Sequence, residues 1–403
     1  MSNQPHILHV SADFPDPVVP HKTQVIRSLL ELTDDGFEHE VLSLNRTFDD
    51  PANFAASAIT NFGAPRLKSQ EMPFDRGVTL TYRAPPFGLL HGAMLDQLGE
   101  AIAARLRQTR VPDLLVAHKL TVEGLAVERA AELLGRPFAV TIQGNTDTRI
   151  MNMRPDLTTR LRKVFQGASA VMSFAPWSLE QVERRLGRRA GPKAVIPCPT
   201  DLDHVLPPRP GRQCLLSMFH LHGARNKNLK CMAAALRSLQ RSGRTVELAV
   251  AGGGDEADTA VARALAGGAT GLHFIGPLER AAVAHCMNNA AGFILPSRRE
   301  SFGLVFIEAL FAGCPIIYPS GRAVDGYFDD CPFALRVSHK NTGEIAEAMM
   351  QLIDRQDQHK DALANWQHSV AAERFTRPAI ATAFSRHLHD GLGKASAGGL
   401  DNG

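Results

Sequence analysis

The sequence has no C-x-x-C pair, although six cysteines lie along its 403 residues, at positions 198, 214, 231, 286, 314 and 331. That spacing suggests neither a zinc site nor a disulfide framework, and the cysteines read as reduced thiols. Charge of one sign is missing too: 44 Lys and Arg face 41 Asp and Glu, a formal net charge of +3. So small an excess implies no nucleic-acid partner. No apolar run approaches membrane-spanning length, and no cationic start leads into an apolar stretch at the N-terminus. The expected location is therefore the cytoplasm. What is present is the composition of an ordinary globular protein, 44% hydrophobic and 21% charged. The length exceeds what one core usually serves, so two domains are expected.

Short apolar runs alternate with amphipathic stretches from the start. His6–Ser11 predicts a strand, Thr23–Leu32 a helix and His39–Leu44 a second strand. Pro51–Gly77 is irregular, an inserted loop or short helix. Val78–Arg83, Asp113–His118, Phe138–Ile142 and Ala168–Ser173 predict more strands, with helices over Met94–Arg107, Val122–Leu134 and Pro176–Leu186. Strand, helix, strand at this pitch gives a parallel sheet covered by helices. Leu206–Gly211, L-P-P-R-P-G, is a linker. Beyond it, strands at Cys214–His220, Val246–Ala251 and Leu272–Ile275 and a helix at Leu229–Gln240 predict a second sheet.

The most informative stretch runs from Ala291 to Ser320. Ala291–Leu295 is a buried strand closed by Pro296. After a polar turn, Ser301 is placed to cap a helix from about Phe302 to Gly313, and Ile316–Tyr318 starts another strand. The helix is apolar on every side but for Glu308, its one ionisable residue, and a buried carboxylate needs a donor. Ser301 and Glu308, two turns apart, share a face about 10 Å in length. The free N–H groups of Phe302, Gly303 and Leu304, with the helix dipole behind them, form a phosphate seat next to Glu300. Carboxylate, phosphate seat and carboxylate in that order suit a nucleoside diphosphate sugar: Glu300 toward the sugar, Glu308 toward the ribose. The alternative is a packed helix whose Glu308 bonds a backbone group or an arginine.

The pattern P-S-x-x-E-x-F-G-x-x-x-x-E-A-x-x-x-G-x-P, from Pro296 to Pro315, resembles the signature of the retaining family 4 glycosyltransferases. The resemblance implies the GT-B fold, α/β with two Rossmann-like domains facing a central cleft. A C-terminal helix at about 370–390 would return to the first domain. The implied boundaries are 1–207 for the acceptor-side domain and 212–369 for the nucleotide-sugar domain, with 391–403 a disordered tail. It implies donor-sugar contact for Glu300, backbone contact with sugar and phosphate near Ser301, Phe302, Gly303 and Leu304, and a ribose contact for Glu308. Lys227 matches the lysine that holds the diphosphate; Arg225 substitutes for the usual arginine in a shifted register. His118 resembles a histidine that closes a strand at the active cleft. In the later His-Gly pair, Gly144 carries over while Gln143 stands in place of the histidine. A glutamine can bond a sugar hydroxyl but cannot move protons at neutral pH.

Other departures are equally specific. The first loop carries Pro20, His21 and Lys22 where the family has paired glycines, leaving Lys22 as a phosphate contact or a solvated lysine. V-I-P-C-P-T-D has Cys198 and Pro199 in place of Asn-Gly, and Asp201 matches. Asp201-Leu202-Asp203 spells D-x-D but reads as a turn, so no metal is expected. Gly252, Gly254 and Ala257 fit a loose G-x-G-x-x-A, read as a tight turn near the nucleotide. Arg184, Arg185, Arg188, Arg189 and Lys193 form either a solvated face or a patch for anionic lipid. The implied activity is retaining, metal-independent transfer from a nucleoside diphosphate sugar, with no cofactor, to a hydroxyl acceptor, including a lipid-linked one. It would serve cell-envelope polysaccharide or glycolipid synthesis, in the cytoplasm or on the inner membrane face. The rivals are a GT-B sugar-nucleotide epimerase and a non-catalytic sugar-nucleotide-binding subunit.

Overall fold

The structure, a computed structural model, describes residues 4–48, 67–84 and 90–393. Most of the irregular Pro51–Gly77 segment, residues 85–89 (with the P-P-F-G that is expected to end the Val78–Arg83 strand) and the tail beyond 393 lie outside the described residues. The chain divides into two compact units. One comprises the chain to Phe174, Ser178–Pro199 and the residues from Pro378; the other comprises Ala175–Trp177 and Thr200–Arg377.

The first unit holds an eight-stranded sheet among its described residues. Its strands are β1 (His6–Ser11), β2 (Glu38–Phe48), β3 (Ser69–Phe74), β4 (Gly77–Ala84), β5 (Leu114–Ala117), β6 (Phe138–Ile142), β7 (Ala170–Ser173) and β8 (Lys193–Val195). Their order is β3-β4-β2-β1-β5-β6-β7-β8, parallel throughout except for the edge strand β3. Covered strands of this kind need apolar residues on both faces, and β1, β5, β6 and β7 are buried along their whole lengths. The helix His91–Gln108 buries Leu95, Leu98, Ile102 and Leu106, an i, i+3, i+7, i+11 stripe. Each such leucine contributes about 1.5–3 kcal/mol. Gly99 lets that helix approach Glu123–Leu134 closely, since a Cβ there would stand 2.4 Å from the Ala126 carbonyl oxygen.

The C-terminal helix Arg377–Gly391 packs on the first unit from Pro378 onward, with Phe384 6.5 Å from the His9 ring and His389 5.0 Å from Phe37. Two helices here, Asn145–Met153 and Thr158–Gly167, go beyond the sequence expectation.

The second unit has six strands, all parallel: β9 (Arg212–Met218), β10 (Glu247–Ala251), β11 (Leu272–Gly276), β12 (Ala290–Ile294), β13 (Ile316–Pro319) and β14 (Ala334–Val337). Their order is β11-β10-β9-β12-β13-β14. The Leu206–Gly211 stretch is fastened to this unit. Gln367 donates to the Leu206 carbonyl, Asn288 to that of Pro207 and Lys360 to that of Arg209, and Gln356 accepts from the Gly211 N–H. A segment that reads as a loose linker is thus an ordered strap, because buried amides and Lys360 satisfy its backbone.

A chain of imidazoles runs through the first unit. Thr33 Oγ1 donates to the Leu29 carbonyl and lies 3.0 Å from His39 Nε2. His39 Nδ1 is 2.9 Å from His9 Nε2, and His9 Nδ1 is 3.0 Å from His118 Nε2. With the Thr33 proton committed to Leu29, every link is satisfied when each ring carries its proton on Nε2 and none is charged. Burial drives all three down, His39 to about 4, His118 to about 3 and His9 well below its ordinary value. Burial likewise lowers His91 and His387 to about 4.

The unfolded chain protonates these rings below about pH 6.5, so their stability is whole above that pH and drains as pH falls toward about 4. Glu123, raised to about 7 by burial, acts oppositely between about 4.5 and 7. Asp147, raised by its burial, acts in the same sense as Glu123. Five histidines against two carboxyls set the sign. The melting temperature should fall by roughly 5 °C or more between pH 7 and pH 5, and His39→Gln should shrink that gap. Equal melting at both pH values would refute the neutral chain.

Candidate functional site

In an open parallel sheet, ligands gather beyond the strand ends where the strand order reverses. In the second unit that point lies between β9 and β12, because β9 is flanked by β10 on one side and β12 on the other. The loops leaving these two strands carry the expected residues. Lys227, after β9, and Glu300, after β12, meet there with Nζ 2.5 Å from Oε2, both mostly buried. The loops are also joined by backbone, since the Arg298 N–H donates to the Asn226 carbonyl and the Asn226 side chain to that of Arg299.

The helix Leu304–Phe311 starts later than its sequence suggests. Gly303 occupies the cap with φ of 75°, a left-handed backbone that favours glycine, and Ser301 makes no capping bond. The left-handed turn ends the loop two residues past Ser301, which moves its hydroxyl away from the cap position. Ser301 as helix cap is therefore corrected. The N–H groups of Phe302, Gly303 and Leu304 have no partner among the described residues, which leaves them able to bind an anion. Phe302 is buried edge-on against Tyr327, 6.0 Å away, which anchors the loop.

Glu308 is 11% exposed. Its Oε1 accepts from Thr200 Oγ1 at 2.8 Å and lies 3.6 Å from Arg280, whereas Oε2 has no partner among the described residues. Both sequence alternatives are thus partly met: an arginine is near, and one oxygen is left over. Arg225 is exposed and makes no ion pair among the described residues. Asp201 of the D-x-D pairs with Arg377 at 2.7 Å. Among the described residues no group of three His, Cys, Asp or Glu is placed to hold a metal.

One residue that the sequence reading passed over organises the site. Asn228, fully buried with φ of 67°, donates to the carbonyls of Pro296 and His339 and accepts from Arg298 Nε at 3.2 Å. It ties the ends of β12 and β14 together. Its signal in the sequence is slight, an asparagine just ahead of a helix, which tolerates the left-handed region better than most residues.

Two family models match the chain. One, described as "Glycosyl transferase 4-like domain", covers residues 23–199, and the other, "Glycosyl transferases group 1", covers residues 216–367. The chain belongs to the family 4-type glycosyltransferases. No curated protein matches it.

Solved structures similar to this glycosyltransferase include a sucrose-phosphate synthase from Thermosynechococcus elongatus. That match has a TM-score of 0.69 and 18% identity, covering 97% of this chain and 100% of that one. Anabaena HepE in complex with UDP and glucose has a TM-score of 0.61 and 15% identity over 96% and 99%. A trehalose-phosphate synthase from Burkholderia xenovorans, in complex with glucose-6-phosphate, has a TM-score of 0.63 and 11% identity over 95% and 100%. At such identities the likeness establishes the GT-B fold of the glycosyltransferase.

The glycosyltransferase's first unit has its own reversal point, between β1 and β5. His118 follows β5 but is fully buried at the end of the imidazole chain. Its expected place lining a cleft is corrected to one inside the unit, because the ring is drawn in by His9. The strand-end position holds a charged cluster instead. Lys119 Nζ lies 2.7 Å from Asp13 and 3.8 Å from Glu123, and Glu123 accepts from the Ala12 N–H. Burial works against the Lys119 charge, yet Glu123 and Asp13 outweigh it and raise its pKa. Asp147, fully buried, accepts from the N–H groups of Thr121 and Gln143 and so fixes the Gln143-Gly144 turn, where Gly144 has φ of 101°. The i, i+4 pair Lys119 and Glu123, directly after an apolar run, was the available sequence signal.

Lys22 is neither solvated nor free for phosphate. It bonds Asp16, Ser43 and the Leu44 carbonyl, because Asp16 is buried and needs the charge. In the basic cluster, Arg189 is buried and donates to the Phe165 and Ala168 carbonyls, Lys193 pairs with Glu183, and Arg185 bonds Asn152. That leaves Arg184 and Arg188 as exposed members without such a bond among the described residues. No helix among the described residues is long and apolar enough to cross a membrane.

Proposed function

We propose that this glycosyltransferase moves a sugar from a nucleoside diphosphate donor to a hydroxyl acceptor with retention at the anomeric carbon, in cell-envelope polysaccharide or glycolipid synthesis. One observation carries the proposal. Lys227 and Glu300 meet at 2.5 Å beside the unbonded N–H groups of Phe302, Gly303 and Leu304, with Glu308 Oε2 spare one helical face further on.

In this reading the diphosphate lies on the helix start and Lys227, which stabilise the charge that develops on the leaving group. Glu308 Oε2 takes a ribose hydroxyl while Thr200 holds Oε1. Glu300, its charge matched by Lys227, accepts from the sugar hydroxyls. The bond from anomeric carbon to phosphate oxygen breaks, and a bond to the acceptor oxygen forms on the same face. The acceptor proton passes to the departing phosphate oxygen, so no protein nucleophile is called for. Positioning and electrostatics supply the acceleration.

The test is a transfer assay with the diphosphate sugars of uridine, guanosine and adenosine, each with and without EDTA. Because Lys227 and the N–H groups supply the positive charge, transfer should survive chelation. Activity lost to EDTA and restored by magnesium or manganese would contradict this. Turnover of a donor without any acceptor would favour an epimerase.

A further inference from the structure

Next to Glu300, the second unit carries two arginines, Arg298 and Arg322, that form no ion pair among the described residues. Arg322, in the loop after β13, is half-buried. It donates to the carbonyls of Arg298, at 2.6 Å, and Ser320, at 3.3 Å, and to His339 Nδ1 at 3.2 Å. Arg298 is held in turn by Asn228 Oδ1. Neither guanidinium has an acidic partner among the described residues. Two carboxylates of the adjoining loops are engaged elsewhere, Glu300 by Lys227 and Asp325 by Arg336 and the Gly321 N–H. The array adjoins the site directly, since the Ala323 N–H donates to the Glu300 carbonyl.

Two arginines held in place by neutral acceptors, one of them partly desolvated, are costly without a counter-charge. Arg322 loses basicity to burial. His339 is lowered by burial, and then by Arg322, Lys340 and Arg298, which keeps its Nδ1 an acceptor. Arg322 therefore spends donors on carbonyls and a neutral imidazole, and Arg298, whose carbonyl it holds, is an exposed residue. Guanidinium pairs of this kind bind carboxylate or phosphate through charge-assisted bonds.

We infer that Arg298 and Arg322 form an anion subsite next to Glu300, which selects a substrate bearing a carboxylate or phosphate at the sugar end of the site. This rests on the proposed orientation of the donor. The anion has two possible sources, the transferred sugar or the acceptor sugar. The first is a nucleoside diphosphate uronate; the second is a sugar phosphate.

Calorimetry on the full chain separates them. One arm compares glucose 6-phosphate with glucose in the presence of saturating nucleoside diphosphate. The other compares the glucuronate and glucose esters of uridine, guanosine and adenosine diphosphate. The charged ligand should bind about 10-fold more tightly or better in at least one arm. Arg322→Gln and Arg298→Gln should each reduce that preference to about twofold or less, by the same charge-assisted-bond estimate, with nucleoside diphosphate affinity unchanged in both variants. Retained nucleoside diphosphate affinity also reports that each variant is folded; if one variant loses it, the other decides. No preference in either arm, or a preference that survives both substitutions, overturns the inference. Loss of nucleoside diphosphate binding in Glu308→Gln is read separately, so the donor orientation can stand while the anion subsite falls.

Discussion

Glu308→Gln is expected to weaken binding of free nucleoside diphosphate roughly 10- to 150-fold, while Glu300→Gln leaves it within about twofold. The range follows from about 1.5–3 kcal/mol for a hydrogen bond to a charged group, at tenfold per 1.4 kcal/mol. Ribose is common to donor and product nucleotide, so both should weaken alike. The structure sharpens the estimate. Thr200 already occupies Oε1, so the ribose has Oε2, which becomes an amide donor if Gln keeps its carbonyl toward Thr200. A Gln that flips instead recovers one ribose bond and falls at the low end of the range. Thr200→Val should give a smaller loss, since it frees Oε1 without removing the charge. Arg280, 60% exposed at 3.6 Å, is screened and adds little. If Glu300→Gln loses nucleotide affinity and Glu308→Gln keeps it, the donor lies the other way round.

Lys227→Ala is expected to lower turnover by about 10²–10³, the usual cost of removing one donor aimed at developing charge. Two explanations would give a loss of that kind. Lys227 can act on the leaving diphosphate, or it can serve only to neutralise Glu300, which is 17% exposed and would be left unpaired. A double-mutant cycle separates them. If neutralising Glu300 were its only role, Lys227→Ala would cost nothing further in the Glu300→Gln background. The proposed role predicts that most of the loss persists there. Saturation kinetics add a second readout, because an interaction made in the transition state lowers kcat and kcat/KM together.

Much of the fold was legible because its signals are local. The strands His6–Ser11 and Phe138–Ile142 and the helix Pro176–Leu186 stand where apolar runs and turn residues put them. β3 was not, since S-Q-E-M-P-F is polar and carries a proline, as an exposed edge strand can. The helix Asn145–Met153 was not legible either, because N-T-D-T-R has weak helix formers and few apolar residues. In the site, Glu308 and a helix start near Phe302 were legible from spacing along one helix, with Glu300 in the turn just ahead of it. The later start, at Leu304, was not, because it depends on the backbone conformation of Gly303. Long-range contacts were least visible. His118 meets His9 across 109 positions, Thr200 meets Glu308 across 108, and Asn228 meets His339 across 111. No periodicity encodes such pairs.

The central claim is that the donor diphosphate rests on the start of the Leu304–Phe311 helix. Amide NMR of the full chain, titrated with uridine, guanosine and adenosine diphosphates and with the matching nucleosides, addresses it directly. At least one diphosphate should shift the Gly303 and Leu304 amides strongly, and its nucleoside should leave them nearly in place. Tight diphosphate binding that moves other amides and leaves Gly303 and Leu304 unchanged would contradict the claim.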